Sequence, residues 1–213
     1  PMRMIHLTAQ ATSTVLFDND VSFTPCIPKS GATEDYSLFC AIAASGLTPS
    51  WTWFGDSAFL DSLGDVANNA GGNNFYWLYF IHDDLGGNAM NAEVLENAER
   101  IVLGYGAPPL RLRTATTTPI VGNTISVDAE EFSFDQNFNP QWLPAEGALL
   151  KASDGREFQV GSSSVAVLIA SSSPFSLHAK KTGSIASREM FINPIVATSS
   201  TPENNSGNTG GNT

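Results

Sequence analysis

The chain has 213 residues, 42% of them hydrophobic and 15% charged, with 10 Lys and Arg against 21 Asp and Glu for a formal net charge of −11. That balance repels polyanions, and the basic residues Arg111, Arg113, Lys151, Arg156, Lys180, Lys181 and Arg188 are scattered, so neither nucleic acid nor an anionic membrane surface is an expected partner. No stretch reaches the roughly 18 apolar residues needed to span a bilayer, and no charged-then-apolar leader opens the chain, so no membrane insertion is expected within this segment. The first residue is Pro1 rather than Met, and the expectation is a mature product or a segment of a longer polypeptide. Scarce helix formers and abundant Gly, Ser, Thr and Asn predict an extracellular β protein, with a length that suits two modest domains.

In chain order, Ile5 to Ala11 and Ser13 to Phe23 read as two Thr- and Val-rich strands, the second punctuated by Asp18-Asn19-Asp20. Tyr36 to Ser45 is the one predicted helix: Leu38, Phe39, Ala41, Ile42 and Ala43 form its apolar stripe. Thr33 or Asp35 is its expected cap, and Gly46 followed by Pro49 its stop. Trp51 to Phe54 and Ala58 to Leu63 are short strands, followed by the polar loop Asn68 to Asn74. The aromatic run Phe75-Tyr76-Trp77-Leu78-Tyr79-Phe80 suits a strand buried on both faces, because β-branched and aromatic side chains fit a pleated surface. Tyr76, Leu78 and Phe80 share one face; Phe75, Trp77, Tyr79 and Ile81 share the other. A last strand at Arg100 to Tyr105 precedes Ala107-Pro108-Pro109, where two prolines disrupt a ladder and mark a boundary.

Beyond it, short apolar runs alternate with turn signals: Leu110 to Arg113, Thr124 to Asp128, Ala148 to Ala152, Glu157 to Val160, Val165 to Ala170, Phe175 to Ala179 and Glu189 to Ile192. About seven short strands without a helical period predict a β-sandwich. Thr198 to Thr213 has little to bury and reads as a flexible Asn/Gly/Ser/Thr linker.

Cys26 and Cys40 are the two cysteines. In a secreted protein they would close a loop of about 15 residues by a disulfide worth roughly 3 kcal/mol, and in a cytosolic one they would be buried thiols; a zinc site lacks further ligands at suitable spacing.

With the strand order and aromatic tokens in place, residues from about 4 to 106 resemble the domain at the C-terminus of transcobalamin and intrinsic factor, which also occurs in many bacterial surface proteins. The resemblance rests on strand, strand, helix, then Tyr76-Trp77-Leu78-Tyr79, and a closing strand that ends at Tyr105-Gly106. It implies a mainly β chain that opens with a small β-grasp-like α+β domain, one helix on a sheet. The family's Asn-Gly turn and Gly-Asp are replaced here by His82-Asp83-Asp84 and Asn97-Ala98-Glu99. Residues 109 to 196 are similar to bacterial immunoglobulin-like modules, through Pro109-Leu110-Arg111-Leu112, Val121-Gly122, Pro144-Ala145-Glu146-Gly147-Ala148, Ser153-Asp154-Gly155 and Phe175 to Lys180, which implies a stalk or spacer. The expected organisation is 1–107 β-grasp-like, 108–197 an immunoglobulin-like β-sandwich and 198–213 linker.

The chemistry points away from an enzyme. His6, His82 and His178 are far apart in sequence, and neither a Gly-x-Ser-x-Gly elbow nor a His-Glu-x-x-His helix occurs. Asp18 to Asp20 and Asp83-Asp84 have oxygens for calcium but read as turn chemistry without EF-hand spacing, so no metal or cofactor is expected. An isopeptide link between Lys151 and Asn193 has no supporting spacing. Core packing is the ordinary use of the aromatics, and stacking on a sugar or planar molecule the functional one; the candidate ligand-binding residues are Trp51, Trp53, Tyr76 and Asp83. The expected function is non-enzymatic adhesion, or recognition of a small molecule, surface glycan or protein partner, outside the cell or in its envelope. The alternatives are a structural stalk or filament component without a soluble ligand and, through the resemblance, cobalamin or corrinoid binding. Exposed rings at Trp51, Trp53 and Tyr76 would favour binding, and buried ones a scaffold.

Overall fold

The structure, a computed structural model, describes residues 1–162 and 165–197. The linker expected over 198–213 lies outside the described residues. The chain is mainly β, with 49% strand against 5% helix, as the composition predicts.

The first half is built on a mixed sheet. Strands β1 (Arg3–Ala11) and β2 (Thr14–Phe23) form an antiparallel hairpin; β6 (Trp77–Ile81), β7 (Asp84–Leu85) and β8 (Arg100–Tyr105) complete the order β2-β1-β8-β6-β7. The central pair β1–β8 is parallel, Leu7 facing Ile101 and Ala9 facing Leu103, and this central parallel pair with a helix across one face is the β-grasp arrangement. Alternation along β1 puts Ile5, Leu7, Ala9 and Ala11 on that helix-bearing face, all buried, where they meet Trp77, Tyr79, Ile101, Leu103 and Tyr105.

Helix α1 (Leu38–Ala44) is shorter than the Tyr36 to Ser45 expected. Tyr36 to Leu38 instead pair with the segment around Val94: the Leu38 N–H donates to Glu93 O at 2.8 Å and the Leu95 N–H to Tyr36 O at 2.9 Å. The N-cap is Ser37, not Thr33 or Asp35. Its hydroxyl lies 3.2 Å from Cys40 Sγ, while Asp35 accepts from the Tyr36 N–H at 2.7 Å. Gly46, at φ +80°, ends the helix as expected. Cys26 and Cys40 are joined in a disulfide with Cα atoms 5.8 Å apart, so the loop after β2 is tied to the buried face of α1.

Strands β3 (Pro49–Phe54), β4 (Ser57–Leu63) and β5 (Val66–Ala67) form a separate antiparallel meander. Pro49 follows the helix yet opens β3, which is tolerable because β3 is an edge strand. Asp18-Asn19-Asp20 form no turn, contrary to expectation. They stay inside β2 because Asp18 and Asp20 find polar partners across the hairpin: the Thr8 hydroxyl donates to Asp18 at 2.8 Å, and His6 stands between the two carboxylates at 3.1 and 2.9 Å.

The second half is a sandwich of two four-stranded sheets. In one, β10 (Thr124–Phe134) carries β9 (Leu110–Thr114) on one edge, with β14 (Val165–Ile169) and then β11 (Pro140–Pro144) on the other. The other sheet has the order β13-β12-β15-β16, where β12 is Leu149–Ala152, β13 Glu157–Gln159, β15 Phe175–Lys180 and β16 Met190–Ile192. Ile125, Val127 and Ala129 of β10 face Leu150, Leu177 and Ala179 in the core between them.

The two halves meet on the sheet face opposite α1. There Phe80 and Val102 pack with Ala107, Phe132 and Ile185, the Phe80 and Phe132 rings edge-on at 4.8 Å. Segment 184–186 straps across the join: Ser184 O accepts from Gln10 Nε2 at 3.3 Å, Ala186 O from Arg100 Nη2 at 2.8 Å, and Ile185 exchanges two backbone bonds with Pro108 and Leu110, each 2.9 Å. The second face of the aromatic strand is thus covered largely by protein.

Candidate functional site

In the β3–β4 hairpin, Trp51 pairs across with Leu60 and Trp53 with Ala58, so these four point one way. That way is toward α1: Phe39 lies 4.4 Å from the Trp51 ring and 6.0 Å from Trp53. The opposite face carries Thr52, Phe54, Phe59 and Asp61. The two tryptophans are therefore half-buried packing residues, and their neighbours in sequence face the open side.

Tyr76 precedes β6 and stands between two clefts, its side 51% exposed despite its place in the most apolar run of the chain. Its neighbours hold it there. Phe75 packs edge-on against Tyr105 at 5.8 Å, and the Trp77 N–H donates to Asn68 Oδ1 at 2.8 Å while its indole donates to Val66 O at 3.0 Å. The Tyr105 hydroxyl gathers the 68–74 loop by accepting from Asn73 Nδ2 at 3.0 Å and the Ala70 N–H at 3.3 Å. The ring is thereby presented on a hydrogen-bonded backbone.

The first cleft, about 570 Å³, lies between the outer face of β3–β4 and the start of β6, closed at one end by 85–90. Phe54, Phe59 and Tyr76 supply its ring faces; Thr52, Asp61, Asn69 and Asn88 supply polar groups. Gly86 is required here, because a Cβ would stand 1.9 Å from the Tyr79 ring. The Tyr79 hydroxyl lies 2.7 Å from Glu93 Oε2 and 2.8 Å from Asn88 O, and burial, reinforced by Glu93, raises its pKa far above the ordinary phenol value. The buried Tyr79 ring forms part of the cleft lining.

The second cleft, about 780 Å³, runs between the two halves and is lined by Phe75, Tyr76, Phe132, Phe134 and Phe138, with Asn74 and Ser133 as its polar members. Phe138, 84% exposed, tops the β10–β11 turn at φ +61°, held by Asp135, which accepts from the Asn137 and Asn139 N–H groups at 2.7 and 2.8 Å. The Asn139 amide, which donates to Asp135 at 2.9 Å, and then those backbone bonds hold the Asp135 carboxyl below its usual range.

Asp83 sits at the far end of β6 from Tyr76, so the four sequence-derived candidates do not converge. His82 and Asp83, at φ +50° and +71°, form the two-residue hairpin turn where Asn-Gly is the favoured pair. Asp83 Oδ1 is buried with Arg100 Nη1 at 3.5 Å as its charge partner. Burial lowers the Arg100 pKa against the pull of Asp83 and Asp18. These groups serve the turn and the join between halves.

Both ring nitrogens of His6 face carboxylates, His82 Nε2 lies 3.4 Å from Glu99, and His178 sits on β15 with its pKa lowered by burial and by Lys180. No group of three or more His, Cys, Asp or Glu side chains is placed to hold a metal ion among the described residues. Lys151 pairs with Glu157 at 2.7 Å rather than with Asn193. No helix among the described residues is long and apolar enough to cross a membrane. The sequence reading missed Phe54, Phe59, Asp61, Phe134 and Phe138. Strict alternation from Trp51 would have found Phe54; Phe59 and Asp61 depend on the cross-strand register of the β3–β4 hairpin, and the last two on a hairpin whose strand is bounded by Pro140 and Pro144. Compared with known proteins, the chain matches no family model, no curated protein and no solved structure.

Proposed function

We propose that this chain is a non-enzymatic recognition module of the cell exterior or envelope, which holds a small molecule or a glycan against the Tyr76 ring. The observation that carries the reading is that half-exposed ring, set on a rigid strand start between two aromatic clefts. A soluble protein gains nothing in stability from an exposed ring in a concave, apolar setting, whereas a ligand gains a preformed stacking surface. The Cys26–Cys40 disulfide supports the location, since such bonds persist in oxidising compartments. The inward packing of Trp51 and Trp53 is what a purely structural stalk would show; Tyr76 separates the two readings.

The test is a thermal-shift screen of neutral saccharides, uncharged aromatic metabolites and cobalamin on the wild-type chain and Tyr76→Ala in parallel. Compounds that raise the wild-type melting temperature and leave the variant unmoved support recognition at Tyr76. Shifts equal in both proteins place binding elsewhere, and no shift at all leaves the stalk as the better reading.

A further inference from the structure

We infer that the cleft between the β3–β4 hairpin and Tyr76 takes a neutral pyranose ring of a glycan; this rests on the recognition reading above and names its ligand class. A pyranose is apolar on its C–H faces and carries hydroxyls around its edge that both donate and accept. The cleft has both complements among its lining residues. Phe59 and Tyr76, 44% and 51% exposed, offer ring faces. Beside them the Asp61 carboxylate, the Asn69 amide Nδ2, the Thr52 hydroxyl and the Tyr76 hydroxyl have no hydrogen-bond partner among the described residues. Asn69 is otherwise fixed, since its Oδ1 accepts from the Asn74 N–H at 2.9 Å, so its free Nδ2 has a set direction.

Charge selects among sugars. The cleft holds Asp61 and no Lys or Arg, in a chain of net charge −11, so uronic or sialic acids and phosphorylated sugars are disfavoured. Size agrees: about 570 Å³ lies within the roughly 300–1,000 Å³ of small-ligand sites. The neighbouring cleft lacks a charged lining residue and has few polar ones, so it cannot satisfy a ring of hydroxyls.

The test is isothermal titration of the whole chain with chitotetraose, cellotetraose, mannotetraose and, as the acidic control, trigalacturonate. At least one neutral sugar is expected to bind, with trigalacturonate at least about tenfold weaker. Asp61→Asn and Asn69→Ala should each weaken binding about tenfold, as expected for lost hydrogen bonds to a charged or oriented group. Tyr76→Phe should reduce it and Tyr76→Ala abolish it, while Phe191→Ala on the distant sheet leaves it unchanged; circular dichroism verifies that each variant is folded. The inference is overturned if no neutral sugar binds, or if binding survives Asp61→Asn and Asn69→Ala; loss in Phe138→Ala would then place binding in the neighbouring cleft. Should an uncharged aromatic compound bind in a Tyr76-dependent way while every sugar fails, recognition stands and the sugar assignment falls.

Discussion

Replacing Phe132 by Ala tests whether the two halves behave as one body. Phe132 belongs to the second half but is buried in the joint, edge-on to Phe80 at 4.8 Å, Phe134 at 5.0 Å and Trp142 at 5.6 Å. Truncating a buried Phe costs about 3–5 kcal/mol, which for a chain of this length lowers a melting temperature by roughly 6–20 °C. The ring lies outside both main cores, so the loss falls on the coupling between halves. Calorimetry of the wild type should give a single transition, and Phe132→Ala a lowered, split one. Tryptophan fluorescence, dominated by Trp51, Trp53 and Trp77, should then report the first half separately. Leu150→Ala, fully buried in the second core, should destabilise through the same mechanism without a split of this origin. If Phe132→Ala moves the transition by less than about 2 °C and leaves its shape unchanged, the joint carries no coupling and the reasoning fails.

Replacing Cys26 and Cys40 together by Ser should cost about 3 kcal/mol by the loop-closure argument, read as a lower denaturant midpoint; a loss under about 1 kcal/mol would contradict it. Gly104→Ala should destabilise by about 1–3 kcal/mol, because the added Cβ would stand 2.6 Å from the Ala107 carbonyl oxygen and 3.3 Å from Ile185 Cδ1, where the backbone cannot yield as a side chain could. Burial first, then Lys180 and Lys151, holds the His178 pKa down against Glu189. The unfolded chain then takes up the proton first, so the contribution of neutral His178 is intact above pH of about 6.5 and is lost as pH falls toward its folded value. Melting temperatures between pH 7.5 and 5.5 should fall less steeply in His178→Gln; equal slopes would refute the assignment.

The sequence made the architecture legible where hydrophobic period and strand propensity agreed. The Arg100 to Tyr105 strand and the hairpin of β1 and β2 stand where they were expected, as does the aromatic strand apart from its first two residues. Legibility failed where a tertiary partner outweighed a local signal. Asp18 to Asp20 look like a turn until His6 and Thr8 are brought opposite them, and Tyr36 and Ser37 look helical until Val94 pairs beside them. Strand β11 was hidden because Pro140 and Pro144 argue against a ladder, although an edge strand accepts proline at its ends. Of the proposed site, only Tyr76 is legible in the sequence. Trp51 and Trp53 are rings able to stack on a ligand, but face is set by cross-strand register, and register places Phe54 and Phe59 outward instead. Asp83 lies in a loop-like sequence rich in Asp, Gly and Asn, and it serves a left-handed hairpin turn.

The central claim is that Tyr76 is a presented, ligand-ready ring while the other tyrosines are engaged in packing. Tyr79 and Tyr105 are 5% and 4% exposed, and the half-buried Tyr36 hydroxyl donates to Pro1 O. Limited nitration with tetranitromethane, followed by peptide mass spectrometry with and without a saturating Tyr76-dependent compound, reads this directly. The account predicts that Tyr76 is nitrated first in the free chain and protected in the bound one; a Tyr76 that resists nitration in the free chain, or reacts equally in both, would contradict it.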